Sequence, residues 1–250
     1  MLTKGAIYYT DNRARWFILY ACQEQIKKAW SGKLISVSLK PINFGKNIVL
    51  EGRTRSYPTQ LTQIIMALEA LDTDIVFFLE HDVLYHPTHF DFIPSQEDIY
   101  YYDTNIWRWG VNEDFATNYD NLTSLSMLCC FRKTALAHFK NRLKYVNDNG
   151  WDINRAREPR NGQVISYEPG TKPISHGGFS DEKFGLWRSE FSNIDIRHRH
   201  TFSSPKYHKE DFSQIPVGFR EEKIENIPYW NLKELHDMWW VKYQRELTQW

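Results

Sequence analysis

The first half of the chain alternates short apolar runs with stretches in which apolar residues recur at helical spacing. The β-prone runs at 6–9, 34–39 and 75–79 each predict a strand. Between them, the spacing predicts a helix over 15–30 and a second helix that begins at Tyr57, with a proline in its first turn. Strands that alternate with helices predict an α/β domain with a mostly parallel central sheet, as in doubly wound nucleotide-binding domains.

The run 75–79 is continuous in apolar residues and stops abruptly at Glu80, His81 and Asp82. An apolar run without alternation predicts a strand that is buried on both faces. Ligands of open α/β sheets bind beyond the carboxyl ends of the strands. Two neighbouring carboxylates repel each other unless they share a proton or a cation, so Glu80 and Asp82 predict a divalent-cation site. The alternative is that both residues only cap the following turn.

Polar residues also follow the other early strands. Asp11 and Asn12 lie at the end of the first strand, where they could hydrogen-bond a base or a ribose, although a plain turn explains them equally well. Arg53 and Arg55 lie one residue apart in a loop-like segment. Arginine suits a diphosphate because its planar guanidinium group donates two hydrogen bonds at once. The alternative is that both arginines lie in a solvated loop without a partner.

The second half of the chain is less periodic. Strands are predicted at 98–103, 126–131 and 194–196, helices at 135–146 and 231–247, and loops at 105–110 and 148–178. A loop as long as 148–178 is typical of a functional or mobile segment. It leads to a second acidic pair, Asp181 and Glu182, which is predicted to open a helix, and the last strand leads to His198 and His200.

These polar clusters fit a reaction that needs a divalent cation, a diphosphate site and a general base. Transfer of a sugar from a nucleotide diphosphate has these needs. The cation neutralises the leaving diphosphate, and a carboxylate takes the proton from the attacking hydroxyl.

Composition narrows the class of protein. The 31 basic and 31 acidic residues cancel, but residues 132–209 hold 15 basic and 8 acidic residues, which is compatible with phosphates or nucleic acid. The three cysteines do not form a disulfide framework or a spaced zinc motif. Without a signal-like amino terminus or an apolar run of membrane length, we predict a cytoplasmic protein with no transmembrane segment.

The motifs occur in the order found in the GT-A-fold glycosyltransferases, and residues 6–200 resemble that family. The run Glu80 to Asp82 is similar to the family's acid-x-acid motif, with glutamate in the first position. The run 177–182 resembles the Gly-Gly-Phe-Asp-Glu segment, with a serine inserted before Asp181 and Glu182. The run 130–136 is similar to the preceding strand-to-helix step, and His198 or His200 to a metal-binding histidine near the end of the domain.

The resemblance implies a GT-A-like catalytic domain over 1–200 and a helical extension over 201–250 that packs on it. It implies a Mn²⁺ or Mg²⁺ cofactor held by Asp82 with His198 or His200, and Asp181 or Glu182 as the base. It also implies a nucleotide-sugar donor, a UDP-sugar in the first instance, bound by residues from three segments: Tyr9, Thr10, Asp11, Arg53, Arg55 and Glu80. His81 is not assigned to the cation, because alternation along an extended chain points it away from its neighbours.

Several alternatives stay open at this point. The acceptor is predicted to be a glycan or polysaccharide, and the alternative is a hydroxymethylated pyrimidine in DNA. For DNA, the basic loop 155–160 would contact phosphates and Trp107, Arg108 and Trp109 would stack on a flipped base. A nucleotidyltransferase lacks support because no glycine-rich phosphate loop follows the first strand, and the histidines are too sparse for a typical metallohydrolase. A binding module for sugars or nucleic acids would not need two acidic pairs.

Overall fold

The computed structural model of the chain describes residues 2–149, 168–171, 183–201 and 208–247. In chain order, its strands and α-helices are β1 (Lys4–Thr10), α1 (Trp16–Ala29), β2 (Lys33–Ser38), β3 (Lys46–Val49), α2 (Tyr57–Ala70), β4 (Ile75–Glu80), β5 (Val83–Leu84), β6 (Tyr100–Asp103), β7 (Ile106–Gly110), β8 (Phe115–Asn118), β9 (Leu128–Phe131), α3 (Arg132–Asn149), β10 (Phe184–Trp187), β11 (Asn193–Arg197), β12 (Arg220–Lys223) and α4 (Leu232–Leu247). Short 3₁₀ helices span Pro87–Asp91, Leu125–Met127, Lys209–Asp211 and Ile224–Asn226.

The larger sheet has seven strands in the order β10-β6-β9-β4-β1-β2-β3. Strand β1 pairs in parallel with both β2 and β4, β2 pairs in parallel with β3, and β6 pairs in parallel with β10. Strand β9 runs antiparallel to both β4 and β6. The prediction of a mixed α/β fold with a mostly parallel central sheet and flanking helices is therefore confirmed, and the order β3-β2-β1-β4 matches the first four strands of a doubly wound nucleotide-binding fold.

Strand β4 is buried on both faces, as its continuous apolar run predicted. Val76 and Phe78 belong to a core that includes residues of α2 and α3. Ile75, Phe77 and Leu79 belong to a core on the opposite face, which includes Ile26 of α1. Because both faces are covered by apolar side chains, the first polar side chains of this segment lie at the carboxyl end of the strand.

Helix α2 begins where its sequence predicts. The Ser56 hydroxyl accepts a hydrogen bond from the Thr59 amide at 3.2 Å, which caps the first turn. Pro58 lies in that turn, where its missing N–H group has no intrahelical partner to lose. Leu61, Ile64 and Leu68 of the apolar stripe are buried in the core that α2 shares with β4.

A second sheet has five strands in the order β12-β8-β7-β11-β5. Residues 105–110 were predicted to be a loop, and this prediction is wrong, because Ile106–Gly110 form β7 and pair in parallel with β11. The helix that Asp181 and Glu182 were predicted to open is likewise wrong, because Phe184–Trp187 form strand β10. Strand β7 pairs with β11 and β10 pairs with β6, and these partners lie far apart in the sequence. Local periodicity therefore gives little indication of either strand.

Helix α4 packs on the second sheet. Its Trp239 stacks on Trp109 of β7, with ring centroids 5.7 Å apart and planes 9° apart. Leu232 and Trp239 share a core with Ile194 and Ile196 of β11. The helix predicted over 231–247 is thus present, whereas the division of the chain at residue 200 stays a prediction.

Two further observations concern the cysteines and the apolar character of the helices. All three cysteines, Cys22, Cys129 and Cys130, are buried, and none of them forms a disulfide with a described residue. Among the described helices, none combines the length and the apolar character needed to span a bilayer.

Candidate functional site

A cleft of about 260 Å³ lies at the carboxyl ends of β1 and β4. Its lining includes three groups of residues predicted from the sequence: Tyr9, Thr10 and Asp11 after β1; Arg55 before α2; and Glu80 and Asp82 after β4, with the unassigned His81 between them. His200 lines it as well. Arg53 is exposed and is not among the lining residues that the structure describes. The predicted convergence of polar residues at this edge of the sheet is therefore present.

Asp82 and His81, which line the cleft, form a compact group with His198. One ligand atom of each residue lies within 4.8 Å of the others. Asp82 Oδ2 is 3.4 Å from Nε2 of His198 and 4.0 Å from Nε2 of His81. Both Nε2 atoms are buried and have no hydrogen-bond partner among the described residues. Two such nitrogens facing one carboxylate fit a divalent cation.

The inclusion of His81 differs from the expectation, which assumed an extended chain through Asp82. Strand β4 ends at Glu80, and residues 81 and 82 form a turn. Alternation along a strand therefore stops before His81, and both consecutive side chains can face the same space. His200 lies outside the group, although it was an equal candidate with His198.

The carboxylate and histidine ends of the group are tied together through the backbone. The Ile196 amide donates to the Asp82 carbonyl at 2.8 Å, and Val83 of β5 pairs with Asp195 of β11. The His198 amide donates to the Thr201 hydroxyl at 2.9 Å. The His200 amide donates to Nδ1 of His198 at 3.2 Å, which places the proton of a neutral His198 ring on Nε2.

The two acids of the Glu-His-Asp run differ in their surroundings. Burial and the charge of Asp82 raise the pKa of Glu80 to about 8, although the Tyr9 hydroxyl donates to its Oε1 at 2.7 Å. Burial also disfavours ionisation of Asp82, but His81, His198 and Arg197 together hold its pKa well below the usual range. Asp82 is therefore the ionised acid of the pair and the better cation ligand.

Three charged residues of the second sheet also reach this site: the sequence did not single out two of them, Asp195 and Arg197, and it named Arg108 only for base stacking. Asp195 of β11 lies 3.2 Å from Arg197 Nη1 and 3.6 Å from Nε of Arg108 on β7. Arg108 and Arg197 both line the cleft. Burial lowers the pKa of Arg197, whereas the nearby carboxylates, chiefly Asp195, raise it. The overall shift of this pKa is upward, so Arg197 keeps its positive charge. Pairing of β7 with β11 brings the three together, and no local sequence signal reveals that pairing.

Arg55 connects the residues just before α2 to His200 and Thr201, which follow β11. Its Nε lies 2.8 Å from Asp11 Oδ2, and its Nη2 donates to the carbonyl groups of His200 and Thr201 at 3.1 and 3.2 Å. Asp11 is thereby fixed at the rim of the cleft. A guanidinium held by backbone carbonyls is also preorganised for an anion.

Glu168 adds a carboxyl group to the cleft lining. It begins a four-residue turn in which Tyr102 Oη donates to the Pro169 carbonyl at 2.5 Å. Gly170 adopts φ +76°, and a Cβ there would lie 2.6 Å from the Lys183 carbonyl oxygen. Burial, partly offset by Arg142, raises the pKa of Glu168 to about 7. The predicted base residues Asp181 and Glu182 lie outside the described residues, as does the basic loop 155–160.

The predicted stacking platform is not present as expected. Trp109 is fully buried beneath Trp239, so it offers no face to a base or a sugar. Trp107 is partly buried against the same core, and Arg108 points its charge at Asp195. This prediction was wrong because the segment is a strand, whose side chains alternate between core and cleft.

No protein-family model and no curated protein matches the chain. Among solved structures, it is similar to the apo form of the glycosyltransferase GlyE of Streptococcus pneumoniae TIGR4, with a TM-score of 0.38 and 9% sequence identity. The match covers 63% of this chain and 41% of that chain, so this chain corresponds to less than half of that protein's length. At this TM-score the likeness carries no argument about the function of this chain.

Proposed function

We propose that this protein transfers a sugar from a nucleotide-diphosphate donor to a hydroxyl acceptor, with the help of a divalent cation. The observation that carries the proposal is the meeting of a His-Asp-His group with several arginines at the carboxyl edge of a nucleotide-type sheet. Cation and arginine side chains together neutralise a diphosphate leaving group. A UDP-sugar is the donor we expect.

The layout of the cleft supports an assignment for each part of the donor. Tyr9, Thr10 and Asp11 lie at the end of β1, where the base and ribose of a nucleotide bind in doubly wound folds. We assign two lining arginines, Arg55 and Arg197, to the diphosphate. Arg53 is exposed to solvent and is not assigned to it. The cation, once bound, supplies charge neutralisation of the leaving diphosphate, and the arginines orient its oxygens.

The general base is proposed from three carboxyl groups. Asp181 and Glu182 remain the proposal from the family resemblance, and Glu168 is an additional candidate because it lines the cleft and its pKa of about 7 suits proton transfer at neutral pH. The amide variants Asp181→Asn, Glu182→Gln and Glu168→Gln separate them. Loss of the base lowers kcat by roughly 10²- to 10⁴-fold and leaves donor affinity nearly unchanged. A variant that loses donor affinity instead identifies a binding residue.

For the acceptor we propose a glycan or polysaccharide ahead of a hydroxymethylated pyrimidine in DNA. The burial of Trp109 removes half of the platform that a flipped base would need. DNA remains testable because each neutralised phosphate steepens the loss of binding with salt. Steeply salt-dependent binding of duplex DNA, accompanied by sugar transfer onto hydroxymethylpyrimidine DNA, would reverse this order.

The test of the function is a screen of nucleotide sugars for metal-dependent hydrolysis, followed by addition of candidate acceptors. We expect one donor to be hydrolysed slowly with Mn²⁺ and much faster when its acceptor is present. Isothermal titration with the same donors, with and without the cation, measures the binding step. Absence of both hydrolysis and binding across the common nucleotide sugars would exclude the proposal.

A further inference from the structure

His81 is the middle residue of the Glu-His-Asp run, a position that the family resemblance leaves without a role. It follows the last residue of β4, and its side chain is only 15% exposed. A buried imidazole nitrogen without a hydrogen-bond partner is costly unless something else occupies its lone pair or proton. Nε2 of His81 is such an atom, and it faces the space between Asp82 and His198.

We propose that His81 is a direct ligand of the cation together with Asp82 and His198, so that the centre selects a nitrogen-preferring divalent ion over Mg²⁺. The inference deepens the proposed function, and it rests on that function only for the use to which the cation is put. Imidazole ligands suit Zn²⁺, Fe²⁺ and Ni²⁺, whereas carboxylate and water suit Mg²⁺ and Ca²⁺. Mg²⁺ is usually held by one or two carboxylates and retains several waters.

His198 and His81 differ in how easily each ring adopts the tautomer that binds a cation through Nε2. The His200 amide donates to Nδ1 of His198, so a neutral His198 ring carries its proton on Nε2, the atom that would bind the ion. Binding there requires the proton to move and this 3.2 Å hydrogen bond to be given up. The ring of His81 is not held by a backbone amide among the described residues, so it reaches the metal-binding tautomer without that cost.

The surrounding charges leave Asp82 available for the ion. Arg197 and Arg108 are both directed at Asp195, which offsets part of their repulsion of a cation. Glu80 accepts its hydrogen bond from Tyr9. The rings of His81 and His198 have their centroids 6.2 Å apart, which leaves a gap between them that small side-chain movements adjust to ligand distances of about 2.0–2.1 Å.

Direct binding of metal ions to the full chain, measured without any donor, tests the inference. Metal-free protein is titrated with Co²⁺, Mn²⁺ and Mg²⁺ by calorimetry, and Co²⁺ is also followed by its d–d absorption. His81→Ala is compared with His200→Ala, since His200 lines the same cleft but lies outside the group. Circular dichroism checks that each variant is folded, and His81→Asn provides a second, polar replacement.

We expect His81→Ala and His81→Asn to weaken Co²⁺ binding at least tenfold, change the Co²⁺ absorption and leave Mg²⁺ affinity nearly unaltered, so that selectivity falls. His200→Ala should keep the wild-type affinity and spectrum. Equal affinity of the wild-type protein for Co²⁺ and Mg²⁺, or an unchanged Co²⁺ spectrum in both His81 variants, overturns the inference. Because no donor is present, these results are independent of whether the protein transfers a sugar.

Discussion

Two buried histidine–aspartate clusters in this protein use the same residue types in opposite ways. Around Asp103, the carboxylate accepts hydrogen bonds from the amides of Asn105 and Ser189 at 2.9 and 3.1 Å, and from Asn193 Nδ2 and His89 Nδ1 at 3.0 Å each. The protein itself therefore satisfies the acid. Such a network stabilises the fold, and its carboxylate has little left to offer a ligand, although Nε2 of His89 is also buried without a hydrogen-bond partner among the described residues.

Around Asp82, by contrast, the neighbouring imidazoles approach without completing their hydrogen bonds. Nε2 of His81 and Nε2 of His198 lie 4.0 and 3.4 Å from Asp82 Oδ2, and neither has a partner among the described residues. Burial and residue type alone therefore do not separate a structural histidine from a candidate ligand. What separates them is whether protein donors already saturate the carboxylate.

The largest effect that would sharpen this contrast is expected for Asp82→Ala. Removal of the ionised ligand should abolish cation binding and lower the proposed sugar transfer by roughly 10³-fold or more, because charge stabilisation of the leaving diphosphate is lost. Calorimetric titration with Mn²⁺ and a turnover assay measure the two losses. A folded Asp82→Ala protein that keeps Mn²⁺-dependent turnover would remove Asp82 from the centre.

The second prediction concerns Asp103→Ala, in which four donors lose their acceptor. We expect the free energy of unfolding to fall by about 3–5 kcal/mol, as when one partner of a buried polar network is removed. Urea unfolding measures this, and the folded fraction should bind the cation with wild-type affinity. If Asp103→Ala weakens cation binding while stability is unchanged, the contrast between a structural and a functional cluster is wrong.

The smallest expected effect concerns Glu168, whose partly buried carboxyl lines the cleft. Its pKa is about 7 in the folded protein and near 4.5 ordinarily, so ionisation costs stability as the pH rises between these values. Glu168→Gln removes this cost and should make the protein more stable than wild type above pH 7, by about 3 kcal/mol at most. The difference should vanish below pH 4.5.

Urea unfolding of both proteins at pH 5 and pH 8 tests this prediction. A stability difference that is the same at both pH values would show that the carboxyl of Glu168 does not titrate as its burial implies. The same variant serves in the search for the general base, so loss of turnover and gain of stability can be read from one protein.

Much of the fold could be predicted from the sequence because its signals are local. The apolar run of β4, the stripe of α2 and the polar residues after β1 each report their own environment. The edge of the sheet that carries the cleft followed from these elements alone.

The rest of the site depends on long-range pairing that periodicity does not record. Arg108, Asp195 and Arg197 meet only because β7 pairs with β11. His81 joins the group because the strand ends one residue before it, and strand boundaries are the least certain part of any pattern-based prediction. Glu168 reaches the cleft through a short anchored turn within a region of weak periodicity.

The hydrogen bond from the Ile196 amide to the Asp82 carbonyl has a consequence for folding. It joins β11 of the second sheet to the turn that follows β4 of the first, so the group forms only after both sheets are in place. Non-local contacts of this kind form late and slow the search for the native state. A cation held by Asp82 and His198 would act as a reversible cross-link between the sheets. By mass action it would stabilise the assembled chain against unfolding without stabilising a partly folded one.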